Sequence, residues 1–98
     1  MEKNNPTGKA ELYRALLALR TPEECEAFLE DLCTIRELQD LVQRYSVAAM
    51  LDDGRNYQEI SRETGASTAT ISRVNRCLHY GCRGYRTVLD RRKEKAGL

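Results

Sequence analysis

The residues best suited to chemistry lie between positions 67 and 78, and the chemistry they suit is hydrogen bonding and charge pairing with a polar surface. If this stretch is helical, Ile71, Val74 and Leu78 recur at i, i+3 and i+7 and share one apolar face. The opposite face then carries short polar or methyl-bearing side chains followed by arginines, namely Thr68, Ala69, Ser72, Arg73 and Arg76. Hydroxyl, methyl and guanidinium groups of this kind bind base edges and phosphates in the major groove of DNA.

The elements that must position this face have the pattern of a helix-turn-helix over about residues 56–78. Asn56 is a suitable N-cap for a first helix, and Glu59, three residues later, completes a capping box. Gly65 falls where the turn between the helices needs a positive φ, which costs glycine little. Ser67 is a suitable N-cap for the second helix. The alternative is a purely structural corner, because many two-helix corners never contact nucleic acid.

Nine residues make up the predicted DNA-binding set: Gln58, Arg62, Ser67, Thr68, Ala69, Thr70, Ser72, Arg73 and Arg76. Within this set, Thr68, Ala69 and Ser72 are expected to meet base edges. The three arginines, together with backbone amides near Ser67, are expected to hold phosphates.

Charge is unevenly distributed, although the net charge is only +1. Residues 1–54 carry 6 Lys and Arg against 11 Asp and Glu, whereas residues 55–98 carry 10 against 4. The basic half is therefore the half that contains the helix-turn-helix. Positive potential at that place favours binding of a phosphate backbone.

Apolar periodicity and capping signals predict four further helices, over about residues 9–19, 22–32, 35–51 and 85–93. Residues 1–8 offer nothing apolar enough to pack and are predicted to be disordered. No segment alternates strictly enough for a strand, so the fold class is all-α, with a single domain over residues 9–95. The apolar stripe of the first helix is broad, which predicts burial against more than one neighbour. Thr21 and Glu24 are expected to form a capping box before the second helix, and the last helix is expected to bury Tyr85, Val88 and Leu89.

Metal binding and catalysis are not predicted. Cysteines stand at positions 25, 33, 77 and 82, and the single histidine is His79. Their spacing lacks a paired CxxC knuckle, so we expect small buried hydrophobic residues, with a metal or redox role as the alternative. One histidine, no Gly-rich phosphate loop and no carboxylate pair in an apolar setting argue against an enzyme.

The chain is also expected to be cytoplasmic. No apolar run approaches the roughly 20 residues needed to cross a bilayer, and the start does not resemble a signal peptide. A chain of 98 residues buries only about two-thirds of its unfolded surface, so a second chain would help to cover its apolar stripes.

Specific residues carry a resemblance to a known family. They are the run from Gly65 to Leu78, the following Tyr80-Gly81 and Gly84-Tyr85, and Thr34, Glu37 and Leu41-Val42-Gln43-Arg44 before them. Over about residues 9–95 the chain resembles the Trp repressor superfamily, in particular its YerC/YecD-type branch. The resemblance implies six helices in an intertwined homodimer, with the two recognition helices in successive major grooves of double-stranded DNA.

The resemblance also raises the question of tryptophan as a co-repressor. Tryptophan-responsive members hold the amino acid with a threonine and two arginines, and Thr34, Arg44 and Arg73 occupy the matching positions as a possible effector site. The glycine that makes room for the indole ring is matched by Val74, and the serine near the ligand's amino group is matched by Cys77. We therefore expect no tight tryptophan binding and no cofactor, and we favour salt bridging or phosphate contact for the two arginines.

Together these features predict a sequence-specific DNA-binding transcriptional regulator, a repressor that binds a near-palindromic operator as a homodimer. The alternative from another class is an adaptor that docks on the transcription machinery, which would show little salt-dependent affinity for DNA. A tryptophan- or metal-responsive repressor is a further alternative.

Overall fold

A computed structural model describes residues 6–95, which form six α-helices and no strand. The helices are α1 (Pro6–Ala18), α2 (Pro22–Leu32), α3 (Ile35–Asp52), α4 (Tyr57–Thr64), α5 (Thr68–Tyr80) and α6 (Gly84–Lys95). The predicted all-α class and order of helices are confirmed. Within residues 6–95, no helix combines the length and the apolar character needed to cross a membrane.

Side-chain caps begin α2 and α3. Thr21 Oγ1 accepts a hydrogen bond from the amide of Glu24 at 3.1 Å, as predicted. The Glu24 carboxylate accepts from the amide of Arg20 at 2.8 Å and not from that of Thr21, so this is not the predicted reciprocal box. Thr34 and Glu37 do form a reciprocal box, with bonds of 2.9 and 3.1 Å. Each cap satisfies amides that the first helical turn leaves without partners.

The first helix begins earlier than predicted. The sequence predicted a helix from about residue 9, and α1 starts at Pro6 in the structure. Disorder of residues 1–8 stays a prediction. Proline favours the first helical turn, where its missing N–H costs nothing. The rest of that predicted segment, residues 1–5, lies outside the described residues.

The chain divides into two compact units, and the second, from Gln39 onward, contains the core. Eight side chains from the later part of α3, from α4 to α6 and from the α4–α5 turn are buried there: Val47, Ala48, Ile60, Ala66, Ile71, Val74, Leu78 and Leu89. The stripe predicted for α5 is among them. Unit 2 therefore has an apolar interior that fixes the positions of α4 and α5.

An ion-pair cluster joins the end of α3 to α6 in the same unit. Asp52 Oδ1 lies 2.7 Å from Arg86 Nη2, and Asp52 Oδ2 lies 2.7 Å from Lys93 Nζ. Arg86 also contacts Asp90, one turn further along α6. The hydrogen-bonding and opposite charges of Lys93 and Arg86 outweigh burial and lower the pKa of Asp52 below its usual range.

The first unit, up to Leu38, contrasts with the second because none of its described side chains is buried. Leu17 is 85% exposed and Ile35 is 80% exposed. The prediction that the first helix is buried against several neighbours is therefore wrong for a single chain.

In α6, Val88 was predicted to be buried with Leu89, yet it is 52% exposed. An apolar stripe shows that a helix has a face to cover, and it does not show which chain covers it.

Candidate nucleic-acid interface

A tight turn between α4 and α5 sets the orientation of the second helix. Gly65 has φ of +76°, in the left-handed region, and its amide donates to the carbonyl of Ser61 at 2.8 Å. Ser61 Oγ donates to the carbonyl of Ala66, also at 2.8 Å, while the Ala66 side chain is buried. The predicted glycine turn is confirmed, and the small hydroxyl of Ser61 closes it.

A glutamine of α3 holds this turn from outside the helix-turn-helix. Gln43 Nε2 donates to the carbonyl of Thr64 at 3.1 Å, at the last residue of α4. The Thr64 hydroxyl donates in turn to the carbonyl of Ile60 and accepts from the amide of Ala66. Sequence reasoning did not assign a role to Gln43, because a single glutamine on a helix carries no signal of a partner 21 residues away.

Caps fix the starts of both helices of the corner. Asn56 and Glu59 form the predicted capping box of α4, with bonds of 2.9 and 3.2 Å. Ser67 Oγ accepts from the amide of Thr70 at 3.1 Å and so caps α5 as predicted. The Ser67 hydroxyl also lies 3.1 Å from Thr70 Oγ1. These two hydroxyls are therefore engaged with each other and with the backbone. The remaining amides of the first turn of α5 have no partner within the helix and point out of its N-terminal end.

The outward side of α5 carries the predicted base-reading and phosphate-binding residues. We define the recognition face as Thr68, Ala69, Ser72, Arg73 and Arg76, all of which are exposed. The opposite side is the buried stripe that includes Ile71 and Val74. The structure therefore brings these five predicted residues together on one accessible side of one helix.

The two arginines of the recognition face are unpaired within residues 6–95, in contrast to Arg55 just before α4. Neither Arg73 nor Arg76 forms an ion pair with any residue between 6 and 95, whereas Arg55 pairs with Glu59 and Glu63. These two carboxylates raise the pKa of Arg55, the hydrogen bond to Glu63 being the largest cause. A guanidinium without an internal partner keeps its donors for a phosphate or a guanine edge.

Two predicted residues lie on α4. Gln58 and Arg62 are both exposed, and their spacing of four residues places them on one side of that helix. The hydrogen bond from the Asn56 amide is the largest cause of the lowered pKa of Glu59, and the charge of Arg62 is the smallest.

The possible effector residues are divided between the two units. Thr34 belongs to the first unit, where its side chain caps α3. Arg44 and Arg73 belong to the second; Arg44 is half-buried and Arg73 is exposed. Val74 and Cys77, the two positions that depart from the tryptophan-responsive pattern, lie on α5, with Val74 buried in the core.

The cysteines do not follow the prediction of small buried residues. Cys25 and Cys33 are half-buried, Cys77 and Cys82 are exposed, and all four are free thiols. In the part of the chain that the structure describes, no three histidine, cysteine or carboxylate side chains come together as a metal site. Helical spacing places Cys77 one residue before the buried Leu78, on the outer side of α5.

Comparison with known proteins agrees with this architecture. Residues 8–93 match the protein family described as Trp repressor protein. The chain is 56% identical over 84 residues to the uncharacterized protein YerC of Bacillus subtilis (strain 168), covering 86% of this chain and 81% of YerC.

Two solved structures have the same fold. A crystal structure from Staphylococcus aureus, provisionally identified as a Trp repressor, superposes with a TM-score of 0.83 at 49% identity and covers 87% of this chain and 85% of that one. The crystal structure of a TrpR-like protein from Eubacterium eligens ATCC 27750 gives 0.82 at 48% identity, covering 94% and 91%.

Proposed function

Because the chain belongs to the Trp repressor family, we propose that it is a sequence-specific DNA-binding regulator that represses transcription by occupying a near-palindromic operator as a homodimer. The observation that carries the proposal is the recognition face, an exposed polar and methyl-bearing surface that continues into unpaired Arg73 and Arg76. The helix that bears it is anchored by a closed core and a capped turn.

Each part of the recognition face has a role suited to its chemistry. Thr68, Ala69 and Ser72 lie in the first turns of α5, and N-terminal residues of a recognition helix are those that meet base edges. The two arginines of the face and Arg62 of α4 hold phosphates. Backbone amides near Ser67 add the positive end of the helix dipole.

The exposed apolar side chains support the proposed homodimer. Leu17 and Ile35 in the first unit and Val88 in α6 remain accessible in one chain. Large apolar side chains left this exposed suit an interaction surface, and a second copy would bury them. Two copies would also present two recognition helices, which suits an operator with two related half-sites.

Tryptophan is not expected to be a strong co-repressor. Val74 fills the position at which a glycine would leave room for an indole ring, and its side chain is already part of the core. Arg44 and Arg73 are then free to serve as phosphate or salt-bridge partners. No cofactor is required for the proposed binding mode.

The proposal is tested by selection of bound sequences from a random duplex library, with purified protein, with and without tryptophan, at near-physiological salt. We expect enrichment of a palindrome that does not depend on tryptophan. Enrichment only with tryptophan would contradict the argument from Val74. No enrichment under either condition would contradict the proposed function and favour an adaptor of the transcription machinery.

The base-reading assignment is tested separately with Thr68→Ala. This substitution removes a hydroxyl and a methyl group from the exposed start of α5 and leaves the Ser67 cap in place. We expect the enriched sequence to change at one symmetry-related pair of positions. An unchanged preference would contradict direct reading by Thr68.

A further inference from the structure

Helix α5 ends in an exposed aromatic side chain that has no role in the proposed function. Tyr80 is the last residue of α5 and is 87% exposed. Its phenol oxygen has no hydrogen-bond partner among residues 6–95, and the His79 ring lies next to it, with ring centroids 6.3 Å apart and a tilt of 59°. Neither ring contributes to the core of the second unit.

Helical spacing places Tyr80 on the same side of α5 as the unpaired arginines. Arg73, Arg76 and Tyr80 stand at i, i+3 and i+7, the spacing of one face of an α-helix. His79 follows Arg76 by three residues on the adjoining edge of this face. The outward side of α5 thus changes along its length from hydroxyl and methyl groups, through arginines, to a tyrosine.

The length of α5 determines what its last turn can reach. Its 13 residues span about 20 Å at 1.5 Å per residue. The major groove is about 12 Å wide, so a helix that enters with its N-terminal residues against base edges extends past the groove floor. Its C-terminal turn then lies at the rim, where the accessible groups are phosphate oxygens.

We propose that Tyr80 is a DNA-backbone contact, whose hydroxyl donates a hydrogen bond to a phosphate at the rim of the groove occupied by α5. The inference rests on the proposed function and adds a neutral contact to the cationic ones. Tyrosine hydroxyls are common phosphate partners in protein–DNA interfaces. Such a contact fixes the register of the helix and carries no sequence preference.

A neutral contact and a cationic contact are distinguished by the salt dependence of binding. Losing an arginine–phosphate contact lowers the slope of log affinity against log salt by about 1, because fewer counterions are released. A phenol releases none. Tyr80→Phe should therefore weaken binding and leave the salt slope unchanged.

The experiment measures fluorescence anisotropy of the enriched duplex and of an unrelated duplex at several salt concentrations, for the wild type, Tyr80→Phe, Tyr80→Ala and Arg76→Ala. Tyr45→Phe removes the same atom from a half-buried tyrosine of α3, outside the recognition face and the first unit, and is the matched control. We expect Tyr80→Phe to weaken both duplexes by about tenfold to a hundredfold, because each copy of the proposed homodimer loses one hydrogen bond to a phosphate. Tyr45→Phe should bind as the wild type does.

Three results would overturn the assignment of Tyr80 while the wild type still binds DNA. Tyr80→Phe could bind within twofold of the wild type, or weaken one duplex selectively, which would indicate a base contact. Tyr80→Ala could lower affinity only by changing the oligomeric state in sedimentation velocity, which would place Tyr80 in a chain–chain interface. A wild type that enriches no duplex would instead overturn the proposed function itself.

Discussion

The two units of this chain solve the problem of burying apolar side chains in different ways. The second unit encloses eight side chains and fixes its helices with caps and an ion-pair cluster. The first has capped and regular helices but encloses none of its described side chains. Regular local structure and a closed core are therefore separate properties, and the predicted DNA-binding residues all belong to the unit that has both.

The difference bears directly on function. A recognition helix must present its side chains to within a fraction of an ångström, which requires a rigid support. A surface that joins two copies must instead remain open in each copy. In the proposed dimer, the second unit, which has the closed core, binds DNA. The first unit, whose apolar side chains are exposed in one chain, joins the two copies.

The largest expected effect is in the core of the second unit. Ile60 is fully buried, so Ile60→Ala should lower the free energy of unfolding by about 2–5 kcal/mol, from lost burial and the cavity left behind. Urea denaturation monitored by circular dichroism measures this change. Ile60→Val, which removes one methylene, should cost about 0.5–1.5 kcal/mol. A cost below 1 kcal/mol for the alanine variant would show that the core is less closed than described.

Substitutions in the first unit should weaken formation of the proposed dimer. Leu17→Asp places a carboxylate on the most exposed leucine of α1, and it should raise the dissociation constant of the proposed dimer by about tenfold or more. Sedimentation equilibrium over a range of concentrations measures this change. Ala27→Asp adds the same charge at an exposed position of α2, on the side that carries Glu23, Glu30 and Asp31, and should have little effect. A monomeric wild type, or equal effects of both variants, would contradict the role given to the first unit.

The turn between α4 and α5 tests whether the recognition face depends on backbone conformation. Gly65→Ala should destabilise the fold by about 1–2 kcal/mol, because φ of +76° disfavours a Cβ. The nearest atom to that Cβ would be Gln43 Nε2 at 4.0 Å, so the cost is conformational and not steric. Gly65→Asn should cost less, since asparagine tolerates this region. Equal thermal stability of all three proteins would contradict the account of the turn.

The smallest expected effect concerns the Asp52 cluster and pH. The pKa of Asp52 is lower in the folded protein than its ordinary value of 3.8, so its ion pairs add stability above that value. This contribution is lost as pH falls through the lowered pKa. Below about pH 4 the wild type should lose stability more steeply than Asp52→Asn in urea titrations. Parallel pH profiles for the two proteins would contradict the linkage.

Local signals in the sequence were sufficient for most of the fold. The capping residues Asn56 and Ser67, the positive φ of Gly65 and the stripe that begins at Ile71 were all predicted and are confirmed. Each of them depends on residues within one or two helical turns, where spacing alone determines which groups can meet. The predicted contacts of these residues with DNA stay predictions.

Features that depend on distant residues could not be predicted in the same way. The hydrogen bond from Gln43 to Thr64 and the ion pairs of Asp52 with α6 join separate helices. Periodicity also predicted burial for Val88, which is exposed in one chain. A sequence pattern identifies an apolar face without identifying the surface that covers it.

The most direct test of the central claim is the salt dependence of DNA affinity for three proteins. They are the wild type, the double variant Arg73→Ala/Arg76→Ala, and Arg55→Ala, whose guanidinium is already paired with Glu59 and Glu63. We expect the wild-type affinity to fall steeply with salt and Arg55→Ala to keep a slope close to that of the wild type. The double variant should have a slope lower by about 4, because each of the two copies loses two phosphate contacts. A wild-type affinity that does not depend on salt, or the same slope for the wild type and the double variant, would contradict DNA binding through the recognition face.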